Sequence, residues 1–321
     1  MSAELISNNI ERSMSFPQVR SKAIISGEEF SRVELMDLLN FAEVLRVNRT
    51  RDMGSNLLKG KTLVLLFDKS SFRTRLSFTI AMQELGGNIV ESVGSTRKSE
   101  EPEDLARVLN GYCHALMIRS HDEKYLKRMT QRLDIPLING LTDNYHPCQI
   151  LADLLTMKQR YGRWEGLTIT YVGDGNNILH SLMLMAPKLG IKVNYCCPTG
   201  YGPKEAVVLR AKELVQGKGG VQSFSSPQEA VKSSHAVYTD VWTSMGFESQ
   251  DSERHNAFEG FQVNEELMSL AADGACFLHC MPMVRGEEVS DTLPDSDCSV
   301  VFAQAENRLH VQKALIVAMM V

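Results

Sequence analysis

Short, continuous apolar runs alternate along this chain with longer segments of helical period. Lys61–Phe67 (KTLVLLF) is apolar at successive positions, the pattern of a strand buried on both faces. The periodic segment Phe72–Leu85 predicts a helix, and Gly86–Gly87 supplies its C-terminal stop. Ala115–Ile118, Leu167–Val172, Lys192–Cys196, Ala236–Thr239, Cys276–Leu278 and Ser299–Phe302 read as further strands, with Ile135–Ile138 a weaker candidate because of Pro136. His146–Tyr161 predicts a helix with Pro147 in its first turn and Gly162 at its end, and Ala305–Val321 predicts another. Gly94–Asp104 and Gln250–Asn256, polar and charged, read as loops. Alternating strands and helices imply an α/β fold of parallel sheets. At roughly 150 residues per domain, the 321 residues make two domains, each with a central parallel sheet flanked by helices. The expected division is 1–145, rejoined by the helix 305–321, and 146–304.

Composition narrows the class. Hydrophobic residues are 43% and charged residues 23%, which excludes a disordered, collagen-like or membrane-embedded chain. With 39 acidic against 34 basic residues and no Lys/Arg block, nucleic acid is not an expected partner. Seven scattered cysteines contain no CxxC pair, which points to a reducing compartment rather than a disulfide framework or zinc ribbon. The longest apolar run, Ala314–Val321, falls far short of the roughly 20 residues of a membrane helix. The first 20 residues lack an apolar signal core and carry Glu4 and Glu11, so a cytoplasmic, membrane-free protein is expected.

The stretch Phe67–Phe78 (FDKSSFRTRLSF) holds the most chemistry. A buried strand runs into a turn bearing Ser70, Ser71, Arg73, Thr74 and Arg75, and a helix begins at once. Free N–H groups at a helix start, hydroxyls and guanidiniums make an anion site, although the glycines and GK[ST] ending of a Walker loop are missing. Gly173–Asn177 (GDGNN) also lies between a strand and a helix. It fails as a dinucleotide fingerprint, because Ile178 stands where the third glycine belongs and no acidic residue ends a strand about 20 residues on. His279 and Cys280 are neighbours at a strand end, so their side chains point to opposite faces and make a poor thiol-protease pair.

Six segments in order resemble the carbamoyltransferases: the SFRTR turn, His146–Gln149 (HPCQ), Gly173–Asn177, Asp240–Gly246 (DVWTSMG), Leu278–Pro282 (LHCMP) and Glu306–Arg308 (ENR). The GDGNN and SMG segments are similar to the ornithine branch. The resemblance spans nearly the whole chain. It implies a carbamoyl-phosphate-binding first domain and an ornithine-binding second domain, with no metal and no cofactor. By resemblance, carbamoyl phosphate is held by Ser71, Phe72, Arg73, Thr74, Arg119, His146, Gln149, Cys280, Met281 and Arg308. Ornithine is held by Asn177, Asp240, Ser244 and Met245, and the catalytic set is Arg73, His146, Asp240 and Cys280. The resemblance also implies a homotrimer, or a multiple of one, with shared active sites.

Three departures from the family pattern stand out. Phe72 replaces a small residue, Met281 stands where Leu is usual, and the 94–104 segment lacks the Gln that reaches a neighbouring subunit in many ornithine enzymes. That segment, with Ser95, Thr96 and Lys98, is closer to the aspartate branch. Two alternative functions stay open: transfer to another amine such as putrescine or an N-acylated ornithine, and a non-catalytic carbamoyl-phosphate-binding homologue.

Overall fold

The computed structural model describes residues 16–51, 54–68, 71–93, 100–243 and 251–321. The chain divides into two units. The first runs to Leu151 and takes back Arg308–Val321, and the second is Ala152–Asn307.

In the first unit five strands, β1 (Ala23–Ile24), β2 (Thr62–Phe67), β3 (Asn88–Val93), β4 (Ala115–Arg119) and β5 (Leu137–Leu141), form one parallel sheet in the order β1-β5-β4-β2-β3. Among the described residues four helices belong wholly to it: α1 (Arg32–Val47), α2 (Phe72–Glu84), α3 (Pro102–Asn110) and α4 (Glu123–Met129). Ser31 and Glu34 close a capping box at the start of α1, and Ser71 caps α2. Val64, Leu66, Leu116 and Ile118 from the central strands pack with Leu109, Leu126 and Met129 of the helices. Helix α5 (Pro147–Tyr161) begins in this unit and crosses into the next.

The second unit repeats the plan. Strands β6 (Thr168–Val172), β7 (Lys192–Cys196), β8 (Gly220–Ser223), β9 (Ala236–Thr239) and β10 (Cys276–His279) lie parallel in the order β10-β9-β6-β7-β8. Between them run α6 (Asn177–Met185), α7 (Glu205–Glu213), α8 (Pro227–Ala230), α9 (Asp251–Ala257) and α10 (Glu265–Ser269). Helix α11 (Val301–Met320) closes the chain and returns to the first unit at Arg308. Val172, Val237, Phe277, Leu267 and Val301 share one core. No helix among the described residues is long and apolar enough to cross a membrane.

Some expectations need correction. Ser299–Phe302 is not a strand: Ser299 makes one isolated bridge to Phe277, and Val301 already opens α11. Its apolar run fills a buried first turn instead. The charged stretch 250–256 is not a loop, since Asp251–Ala257 is helical and its buried residue is Arg254. An arginine on the inward face hides the apolar period a helix normally shows. In the 94–104 stretch, residues 94–99, including Ser95, Thr96 and Lys98, lie outside the described residues. Pro102, Glu103 and Asp104 form the first turn of α3, where proline and acidic residues suit the positive helix end. Pro136 precedes β5 and lends it only a carbonyl, taken by the Leu116 N–H at 2.8 Å. The strands β1, β3 and β8 have no signature in the pattern because they are edges, short or half in water.

Candidate active site

In the first unit the anion-site residues gather around Thr74. Ser71 Oγ accepts the Thr74 N–H at 3.4 Å, which fixes the first turn of α2. The Thr74 side chain is buried, and its Oγ1 accepts Arg308 Nη2 at 2.8 Å and Arg119 Nη1 at 3.4 Å. Arg119 is the last residue of β4, in register with Phe67 at the end of β2, so it emerges at the sheet's C-terminal edge beside the start of α2. Phe72 is 75% exposed, which leaves its backbone, not its ring, to serve the turn.

Burial, with the charges of Arg308 and Arg73, pushes the Arg119 guanidinium down to about 10. Those two partners are like charges, a cost that an anion with several oxygens removes. His146 and Gln149 are buried in the same unit at the opening of α5. Burial, then Arg308 and Arg119, hold the His146 imidazole well below its usual range, so the ring is neutral near pH 7. A neutral N–H donor beside guanidiniums suits a polarised carbonyl next to a phosphate.

In the second unit the polar residues gather around Asp240. Strands β9 and β10 pair with His279 opposite Thr239, so Cys280 and Asp240 are the first residues beyond paired strand ends. The Cys280 thiol donates to Asp240 Oδ1 at 2.9 Å, and the Val241 N–H donates to the same oxygen at 2.9 Å. The other oxygen, Oδ2, accepts Asn176 Nδ2 at 2.7 Å. Asn176 also caps α6, with Oδ1 taking the Ile178 N–H at 2.9 Å. Asn177, the residue expected from the resemblance, opens the helix, and it is its neighbour Asn176 that touches Asp240. Ser244 and Met245 lie outside the described residues.

Further residues went unnoticed in the sequence. Arg254 reaches Asp174 Oδ2 at 2.9 Å and the Trp242 carbonyl at 2.8 Å, tying the GDGNN turn to the segment after Asp240. Gly175 of that turn serves packing. A Cβ on Gly175 would fall 2.3 Å from the Gly202 carbonyl carbon, so only glycine permits this backbone approach. Burial and the charge of Asp240 raise the Tyr171 phenol well above its usual range, leaving it a neutral donor to Asn176 Oδ1 at 3.3 Å.

His279 Nδ1 accepts the Met281 N–H at 2.9 Å, and Nε2 lies 3.0 Å from Glu288 Oε1. Met281 has φ +58°, in the left-handed region. Asp240, His279 and Cys280 bring three possible metal-ligand atoms within 4.8 Å of one another. Both His279 nitrogens, the thiol and the carboxylate are engaged in the hydrogen bonds just described.

Two family models match the chain. The aspartate/ornithine carbamoyltransferase carbamoyl-P binding domain covers residues 22–159, and the Asp/Orn binding domain of the same family covers residues 165–319. The ornithine carbamoyltransferase of Anoxybacillus flavithermus is 42% identical over 309 residues, 94% of this chain and 98% of that protein. That of Parasynechococcus marenigrum is 44% identical over 303 residues, 94% of this chain and 92% of that one. Among solved structures, the ornithine carbamoyltransferase of Pyrococcus furiosus superposes with a TM-score of 0.90 at 40% identity, over 96% of this chain and 99% of that chain. The anabolic enzyme of Campylobacter jejuni gives 0.85 at 32% identity, over 92% and 98%.

Proposed function

This chain belongs to the aspartate/ornithine carbamoyltransferase family, and on that premise we propose that it transfers the carbamoyl group of carbamoyl phosphate to the δ-amino group of L-ornithine, giving L-citrulline and phosphate. The observation that carries the reading is the Thr74 hydroxyl taking both the Arg119 and the Arg308 guanidinium at a helix start.

In this proposal Ser71, the Phe72 backbone, Arg73, Thr74 and Arg119 hold the phosphate, and Arg308, His146 and Gln149 hold the carbamoyl group. Cys280 and the Met281 backbone complete that set. The amine lone pair attacks the carbamoyl carbon, and the carbonyl oxygen takes up negative charge. Arg73, Thr74 and neutral His146 stabilise it, each preset donor contributing about 2–4 kcal/mol to the transition state. The C–O bond to phosphate then breaks, and the electron pair leaves with a phosphate that the arginines already neutralise. No metal is called for, since guanidiniums supply the charge stabilisation.

Asp240, with Asn177, Ser244 and Met245, reads the amino-acid end of ornithine, and Asn176 holds the Asp240 carboxylate in place. The δ-ammonium, with a free pKa of about 10, must lose a proton before it attacks. Cys280, which donates to Asp240, orients that amine and relays its proton to the Asp240 carboxylate, giving up the thiol proton as it accepts the one from the amine. The same set leaves the second carboxylate of aspartate without a cation, which selects against it. The enzyme serves arginine biosynthesis in the cytoplasm and works as a homotrimer, or a multiple of one, with shared sites.

A carbamoylation assay that offers ornithine, putrescine, N-acetylornithine and aspartate in parallel tests the reading. Strong preference for ornithine supports both substrate assignments. Turnover of another amine keeps the phosphate assignment and overturns the ornithine one, and no turnover with intact carbamoyl phosphate binding leaves a binding homologue.

A further inference from the structure

We propose that Gln304 is a positioning residue for the Cys280 thiol. The proposal rests on the carbamoyltransferase reading, in which Cys280 meets the amine. β10 is an edge strand of its sheet, so the N–H groups on its outer side have no neighbouring strand to accept them. Phe277 N–H finds the Cys298 carbonyl at 2.9 Å. Two residues on, the His279 N–H finds Gln304 Oε1 at 3.0 Å. The glutamine side chain thus extends the ladder where backbone runs out, one residue before Cys280.

The other end of Gln304 is fixed as well. Its Nε2 donates to Asp153 Oδ1 at 2.7 Å, and all three residues are buried to within 1% of complete burial. Accepting from an N–H while donating to a carboxylate requires an acceptor and a donor on one short planar group, which a neutral amide provides. Beyond the thiol, His279 Nδ1 accepts the Met281 N–H, and the left-handed backbone of Met281 does not hold that turn unaided. The peptide on each side of Cys280 is therefore held by a buried side chain: Gln304 before it and His279 after it. With both in place the thiol sits 2.9 Å from Asp240.

The test compares the intact chain with Gln304→Leu and with the exchange Asp153→Asn/Gln304→Glu, each checked for native folding by circular dichroism. The exchange places the acid and the amide in each other's positions and keeps an acceptor for the His279 N–H. Steady-state kinetics are read alongside the rate of Cys280 alkylation by iodoacetamide, mapped by peptide mass spectrometry. Gln304→Leu should lower kcat/KM for ornithine about tenfold or more and speed Cys280 alkylation several-fold. The exchange should recover most of both effects.

Wild-type kinetics and alkylation in Gln304→Leu would overturn the proposal. So would a folded exchange variant that recovers neither, which also decides the matter if the leucine variant does not fold. If the unmodified chain carbamoylates no ornithine, the functional reading fails, and the alkylation rates still decide the role of Gln304.

Discussion

Arg308 donates to the Thr74 hydroxyl at 2.8 Å across 234 residues of sequence. The bond joins the last helix of the chain to the first turn of α2, and it brings a guanidinium within reach of Arg119, which already meets the like charge of Arg73. In the proposed function such a cluster trades stability for the binding of an anionic substrate.

That conflict gives the first prediction. Arg308→Met should weaken carbamoyl phosphate binding by about two orders of magnitude, while the thermal midpoint of the ligand-free chain stays level or rises. Arg73→Ala should likewise nearly abolish binding. Titration with carbamoyl phosphate and calorimetry of the free chain check both, and unaltered affinity in either variant removes that residue from the site.

Asp240→Asn keeps the shape of the carboxylate and loses its charge. The expected result is a loss of about 100-fold in kcat/KM for ornithine, with carbamoyl phosphate affinity unchanged. Equal losses toward both substrates would show that Asp240 is not an ornithine residue.

Asn176→Ala removes a helix cap and the amide on Asp240 together. The cap should cost about 1 kcal/mol in urea unfolding. The lost Asp240 contact should raise KM for ornithine, a change that the cap alone would not produce. A variant destabilised but kinetically unchanged would leave Asn176 with a structural role only.

His146 gives a pH prediction. Its folded-state pKa lies below the unfolded value, first through burial and then through Arg308 and Arg119. Above about pH 6.5 the ring is neutral in both states; below that the unfolded chain binds a proton that the native ring refuses, so stability falls by up to ~1.4 kcal/mol per pH unit. The loss continues down to the depressed folded pKa. Comparing urea unfolding of wild type and His146→Gln at about pH 7 and about pH 5.5 should show a shallower pH dependence in the variant. Identical slopes would mean that His146 protonates freely in the folded chain.

The central strands β2 and β4 were legible in the sequence because burial on both faces leaves a continuous apolar run, and β6 and β9 because they are rich in β-branched and aromatic residues. The edge strands β3 and β8 had no such run, and α9 was misread because its inward residue is a charged arginine. Site residues were legible where the chemistry is compressed into one turn, as in Ser71, Arg73 and Thr74. Arg119 was found only through the family resemblance, since an isolated arginine after a strand looks like surface charge. Asn176, Arg254 and Gln304 act through partners 64, 80 and 151 residues away, a distance over which local pattern carries no signal.

The return of α11 to the first unit has a consequence for synthesis. Ser71, Arg73, Thr74, Arg119, His146 and Gln149 leave the ribosome early, and their sheet and helices can form around them. Arg308, which donates to the Thr74 hydroxyl, arrives only after the whole second unit has been made. On the proposed assignments, a chain truncated before Arg308 lacks one of the residues that hold the carbamoyl group, so carbamoyl phosphate stabilises it less than it stabilises the finished protein.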